Sequence, residues 1–136
     1  MRALAILLVA GVLAGAGYHY APEILAYLTD SDGRARLAGD YLIDDAEPAM
    51  AAIARNAESA GSLRRAGVGV AVSPSSRGAR GYGNDGFFIV GSNGVIQARS
   101  PQERVTLSLT PELRDGKVVW RCSSALPPDR LTRRCH

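Results

Sequence analysis

The sequence predicts an α+β fold. An N-terminal apolar helix precedes a helical segment packed on a small antiparallel β-sheet, and a C-terminal disulfide loop ends the chain. Three observations carry that prediction. An uncharged apolar run opens the chain at Ala3–Gly17. The apolar period changes from three-and-four to two near residue 66. Both cysteines, Cys122 and Cys135, fall within the last fifteen residues.

The first element follows the single positive charge of Arg2. The run LAILLVAGVLAGAG is shorter than the ~20 residues a bilayer span takes, and it has the form of a signal-peptide h-region. Ala14-Gly15-Ala16 offers the small-x-small pattern of signal peptidase, with cleavage after Ala16. The other reading is an uncleaved anchor from Ala3 to about Tyr20, with Tyr18, Tyr20 and Tyr27 suited to a membrane–water interface. Residues 1–28 are thus expected to be a signal peptide or membrane-anchor helix, and residues 29–136 a single head domain. Both readings export the remainder.

From Pro22 to about Arg65 the pattern is helical. Leu37, Tyr41 and Leu42, then Met50, Ile53, Ala57 and Ala60, recur at steps that keep one face apolar. Pro48 suits the first turn of a new helix, with Asp44, Asp45 and Glu47 where the dipole favours anions. Two helices, roughly 34–44 and 47–60, are expected, with a stop at Gly61-Ser62.

Beyond residue 66 the pattern is that of strands. Val68, Val70 and Val72 alternate with Gly69 and Ala71, which predicts a short strand. The polar, glycine-rich stretch 73–85 is a loop. Phe87–Val90 and Val95–Ala98 flank Gly91-Ser92-Asn93-Gly94, a hairpin signal. Val105, Leu107 and Leu109 alternate with Thr106, Ser108 and Thr110 as a half-buried strand. Asp115-Gly116 turns the chain into Lys117–Cys122. The sum is a meander of three to five strands.

Composition narrows the function. Aromatic residues make up 6% of the chain, so the core must be aliphatic and small. The net charge of +3 conceals an asymmetry: residues 1–60 hold four basic and eight acidic groups, residues 61–136 twelve basic and five acidic. A basic C-terminal part favours anionic partners, although a chain with fifteen Arg and one Lys also carries arginines simply as solvating charge. Two thiols at this spacing match neither a four-ligand zinc site nor a CxxC motif. In an oxidising compartment they form one local disulfide.

The segment from about Gly94 to Cys135 resembles the C-terminal half of type IV pilins. The resemblance rests on Gly94-Val95-Ile96, on Val105-Thr106-Leu107-Ser108-Leu109-Thr110-Pro111 with its Leu-Thr-Pro turn, and on Gly116-Lys117-Val118-Val119-Trp120-Arg121-Cys122. Leu126-Pro127-Pro128, Leu131 and Arg133-Arg134-Cys135-His136 complete it, about a third of the chain in all. Pro22 and Tyr27 lie where a pilin helix has comparable residues. Two features depart: no basic leader ending in glycine stands ahead of the apolar run, and Ala5 occupies the place of the family's glutamate. The resemblance therefore implies a pilin-like head more strongly than an ordinary filament subunit.

What it implies is a structural or accessory subunit of type IV pili or a related secretion or uptake filament, acting through protein–protein contacts. Its partners would be other pilins, pilus-assembly proteins and the inner membrane. It would be anchored facing the periplasm, displayed on the cell surface or pilus, or soluble in the periplasm after cleavage. Two alternatives are a minor-pilin-like module whose basic loop contacts DNA or a surface, and a soluble periplasmic modulator of pilus assembly. Arg121, Arg130, Arg133 and Arg134 form the possible binding patch, able to touch phosphates without reading sequence. Trp120 lies two residues before Cys122 on a strand, so both share a face. Trp120, Leu107 and Leu109 are expected core residues.

Catalysis finds little footing. The histidines are His19, beside the apolar run, and His136 at the end, and neither is placed to act as a held base. Asp44-Asp45 fits a solvated helix face, and Gly78-x-x-Gly81-x-Gly83 lacks a Walker lysine. No enzyme, cofactor, metal or small-molecule substrate is expected.

Overall fold

The computed structural model describes residues 30–73 and 86–135. The expected anchor or signal segment at 1–28, His136 and nearly all of the 73–85 loop lie outside the described residues. One helix, α1 (Ser31–Ala60), packs on a four-stranded antiparallel sheet of β1 (Phe87–Val90), β2 (Ile96–Ser100), β3 (Val105–Arg114) and β4 (Lys117–Ser123). The strands lie in chain order, so this part of the fold is an α+β meander with local connections.

The expected break at Pro48 is corrected: α1 is a single helix of 30 residues with Pro48 inside it. Asp30 caps its start by accepting from the Asp32 N–H at 3.0 Å, and Gly61 ends it at φ 66. An internal proline costs about 3 kcal/mol, because it lacks the N–H for the carbonyl four residues back and crowds it. The helix continues because its buried stripe does. Ala35, Ala38, Leu42, Ala46, Ala49, Ile53 and Ala57 all face the sheet, while Pro48 is exposed on the other side. Packing that would be lost on both sides of a break outweighs one missing hydrogen bond.

The core confirms the aliphatic expectation. Small residues on α1 admit the larger Ile96, Val105, Leu107 and Leu109 of the sheet, each buried. Leucine and isoleucine side chains of this kind contribute about 1.5–3 kcal/mol apiece.

The expected strand at Val68–Val72 does not form. Residues 64–69 are successive turns, with Ala66, Val68 and Val70 N–H groups bonded to carbonyls three residues back. Alternation alone lacked a partner strand, and this segment docks elsewhere. The Gly67 N–H donates to the Ser92 carbonyl at 3.0 Å, and a Cβ at Gly67 would stand 1.9 Å from the Gly91 oxygen. Only glycine permits that backbone contact.

Both expected hairpins are present. Gly91–Val95 connects β1 to β2, and Asp115 (φ 51) with Gly116 (φ 75) makes the two-residue turn between β3 and β4. Positive φ at both central positions is the type I′ geometry that matches strand twist. One boundary differs. The Leu-Thr-Pro turn expected at Pro111 is absent, and β3 runs on to Arg114, pairing Pro111 with Trp120. The pairing of β2 with β3 ends at Ile96 and Leu109, so Pro111 lies beyond the reach of β2 and its missing N–H breaks no bond there.

Side chains alternate across the sheet. Ile96, Ala98, Leu107, Leu109, Trp120 and Cys122 share the helix side, while Arg99, Thr106, Ser108, Arg121 and Ser123 share the other side, which is open among the described residues. At the β4 edge, Glu58 of α1 accepts from the Val118 N–H at 3.0 Å and pairs with Lys117 at 3.8 Å. That contact occupies an edge donor that could otherwise recruit another strand.

Candidate functional site

The C-terminal segment is where the sequence placed most of its candidate residues. Cys122 on β4 is joined to Cys135, with Cα atoms 4.7 Å apart and a sequence separation of 13. Cys135 is buried, and Trp120 packs partly buried against the core on the Cys122 side of the sheet. Leu107 and Leu109 are 0% and 2% exposed.

Between the cysteines the chain lies along the acidic face of α1. Four contacts run in order. Arg36 Nη1 donates to the Asp129 carbonyl at 3.1 Å. Arg130 Nε stands 3.6 Å from Asp32 Oδ1, an ion pair too long for a hydrogen bond, and its Nη2 donates to the Glu103 carbonyl at 3.0 Å. Thr132 Oγ1 donates to Asp40 Oδ1 while accepting the Arg134 N–H at 3.2 Å. Arg134 then reaches Asp44 at 2.6 Å and Glu47 at 2.7 Å. The hydrogen bond to Asp44 raises the Arg134 pKa above its ordinary value; partial burial opposes the shift and Glu47 adds to it.

Gly39 makes the approach possible. A Cβ there would lie 3.0 Å from Thr132 Cγ2. Arg134 also lands on the turn that contains Pro48, so the loop bridges the part of α1 where the proline interrupts backbone bonding.

The expected binding patch is therefore divided. Arg130 and Arg134 are committed to α1, and Arg121 pairs with Glu112 at 3.2 Å on the open side of the sheet. Arg133 is exposed. Some of the basic groups of the C-terminal half thus meet acidic groups of the N-terminal half here. Thr132, Gly39, Asp40 and Arg36 were not candidates from the sequence. A signal that could have found them is Asp40, Asp44 and Glu47 at helical spacing together with a chain end rich in arginine.

Among the described residues no group of three or more His, Cys, Asp and Glu side chains is arranged to hold a metal ion, and no helix is long and apolar enough to cross a membrane. No family model matches the chain. No curated protein and no solved structure matches it either.

Proposed function

We propose that this chain is a pilin-like structural or accessory subunit of a type IV pilus or related secretion or uptake filament, working through protein–protein contacts. One observation carries the reading: a single 30-residue helix lies on a four-stranded meander, and the chain end stapled to the last strand is bound back along that helix. Helix, sheet and loop form one body, which suits a subunit that must hold its surface shape under repeated contact. The DNA-contact alternative gains little from the loop, because Arg130 and Arg134 already hold carboxylates and a phosphate would have to displace them. An exported subunit of this kind would be anchored by its N-terminal segment or carried in the filament.

The test is fractionation of a piliated bacterium expressing the full-length chain with a C-terminal epitope. Recovery with sheared filaments, abolished when filament assembly is disabled, supports the proposal. Confinement to the soluble periplasm, with no effect of the chain on filament number, refutes it.

A further inference from the structure

Among the described residues the sheet carries a helix on one side only. On its open side, Gln97, Arg104, Thr106, Ser108, Ser123 and Ser124 surround a cleft of about 570 Å³. That volume lies within the roughly 300–1,000 Å³ of small-molecule sites. Register brings these residues together: Gln97 pairs with Ser108, and Ser108 with Ser123, in one row across three strands.

Part of the cleft is built and part is uncommitted. Ser124 Oγ donates to the Thr106 carbonyl at 2.6 Å and accepts the Leu126 N–H at 3.2 Å, which fixes the wall formed after β4. Arg104 closes the turn before β3 through its N–H to the Pro101 carbonyl at 3.1 Å, with φ at 54. That is a left-handed backbone which side-chain-bearing residues rarely adopt, and here it carries an arginine. No described residue engages the side chains of Gln97, Arg104, Thr106, Ser108 or Ser123.

The chemistry of the lining is selective. Hydroxyls and a carboxamide both donate and accept, as sugar hydroxyls do. Arg104 offers a planar fork for a carboxylate or phosphate, and Arg99, the cross-strand partner of Thr106, lies on the same face of the sheet. Leu126 supplies an apolar wall for the C–H face of a ring. No carboxylate lines the cleft among the described residues: Glu103 pairs with Arg34 at 3.5 Å, and Glu112 is held by Arg114 and Arg121. A nucleic-acid strand would need aromatic faces for its bases, and among the described residues the lining has none.

We propose that this cleft binds an acidic sugar, a ring bearing hydroxyls and one carboxylate or phosphate, with Arg104 holding the anionic group. The site does not depend on filament membership, so its test is separate from that of the proposed function.

Full-length ¹⁵N-labelled protein in micelles would be titrated with D-glucuronic acid, glucose 6-phosphate, glucose, inorganic phosphate and an oligothymidylate, following amide shifts by NMR. Saturable shifts confined to the strands around Gln97, Thr106 and Ser123 are expected with one or both acidic sugars, and which one responds tells carboxylate from phosphate. Glucose should bind at least about tenfold more weakly, and R104Q should remove that preference for the acidic sugars. Arg104 is exposed, so R104Q tests binding without disturbing the core. Equal binding of glucose, equal binding of inorganic phosphate, displacement by the oligothymidylate, or no saturable shift would each overturn the assignment.

Discussion

Gly39→Ala sets two effects of opposite sign against each other. In the middle of a helix, alanine is favoured over glycine by about 0.5–1 kcal/mol. Against that gain, the new Cβ would sit 3.0 Å from Thr132 Cγ2 and 3.2 Å from Thr132 Cβ, inside normal contact by a few tenths of an ångström. The sign depends on whether Thr132 can yield. Its hydroxyl is held by Asp40, its carbonyl accepts the Cys135 N–H at 3.1 Å, and Cys135 is bonded to Cys122. Relief therefore requires the loop to move as a unit, and overpacking of this kind costs about 1–3 kcal/mol. The expected net effect is a loss of about 1 kcal/mol, which lowers Tm by about 4–8 °C in a domain near 100 residues. With both cysteines changed to serine the loop can lift, and the same substitution should become neutral or stabilising by up to about 1 kcal/mol. Urea unfolding of the wild type, G39A, the C122S/C135S protein and the combined variant gives the coupling directly. An equal effect of G39A in both backgrounds would refute the docking of a stapled loop on α1.

Two further outcomes follow from the same region. Cys135→Ser opens a loop of about fourteen residues, which should lower stability by about 3 kcal/mol on the chain-entropy account and speed cleavage by trypsin; unchanged melting and protease resistance would count against it. Arg134→Met should cost about 1 kcal/mol, a figure kept small because the Arg134 side chain is 39% exposed. Concentrated salt should narrow the gap between this variant and wild type. Since the folded state raises the Arg134 pKa, its contribution is complete below the ordinary guanidinium range and is lost only in strong alkali, above the raised value. The wild-type-to-variant gap measured by urea unfolding should thus stay level from about pH 7 to pH 10; a gap that closes in that window would assign the contact to another group.

Local chemistry made much of this chain legible from its residues. Asp-Gly at 115–116 specifies a turn with two positive φ values, and the alternation in Val105–Leu109 specifies which side chains are buried, because both depend on neighbours within a few residues. The cysteine pair was legible as well, since two thiols near one chain end leave few partners. The errors share one cause. Pro48 was expected in the first turn of a second helix, the alternation at Val68–Val72 to form a strand, and, by the pilin resemblance, Pro111 to turn the chain. Each reads a short stretch by itself, and each was overruled by packing or pairing with residues outside that stretch.

By itself, then, the sequence determined the α+β class, the two hairpins, the aliphatic core and the staple, all of which arise from periodicity, turn geometry and composition. Only the tertiary structure decided where the arginines go. Arg130 and Arg134 have the same charge in the sequence as Arg104, and Arg130 follows an acidic residue just as Arg104 does. Folding places the first two against Asp32, Asp44 and Glu47 of α1 and leaves the third over a hydroxyl-lined cleft. A charge acts over a few ångströms, so its role is set by which distant segment the fold brings beside it.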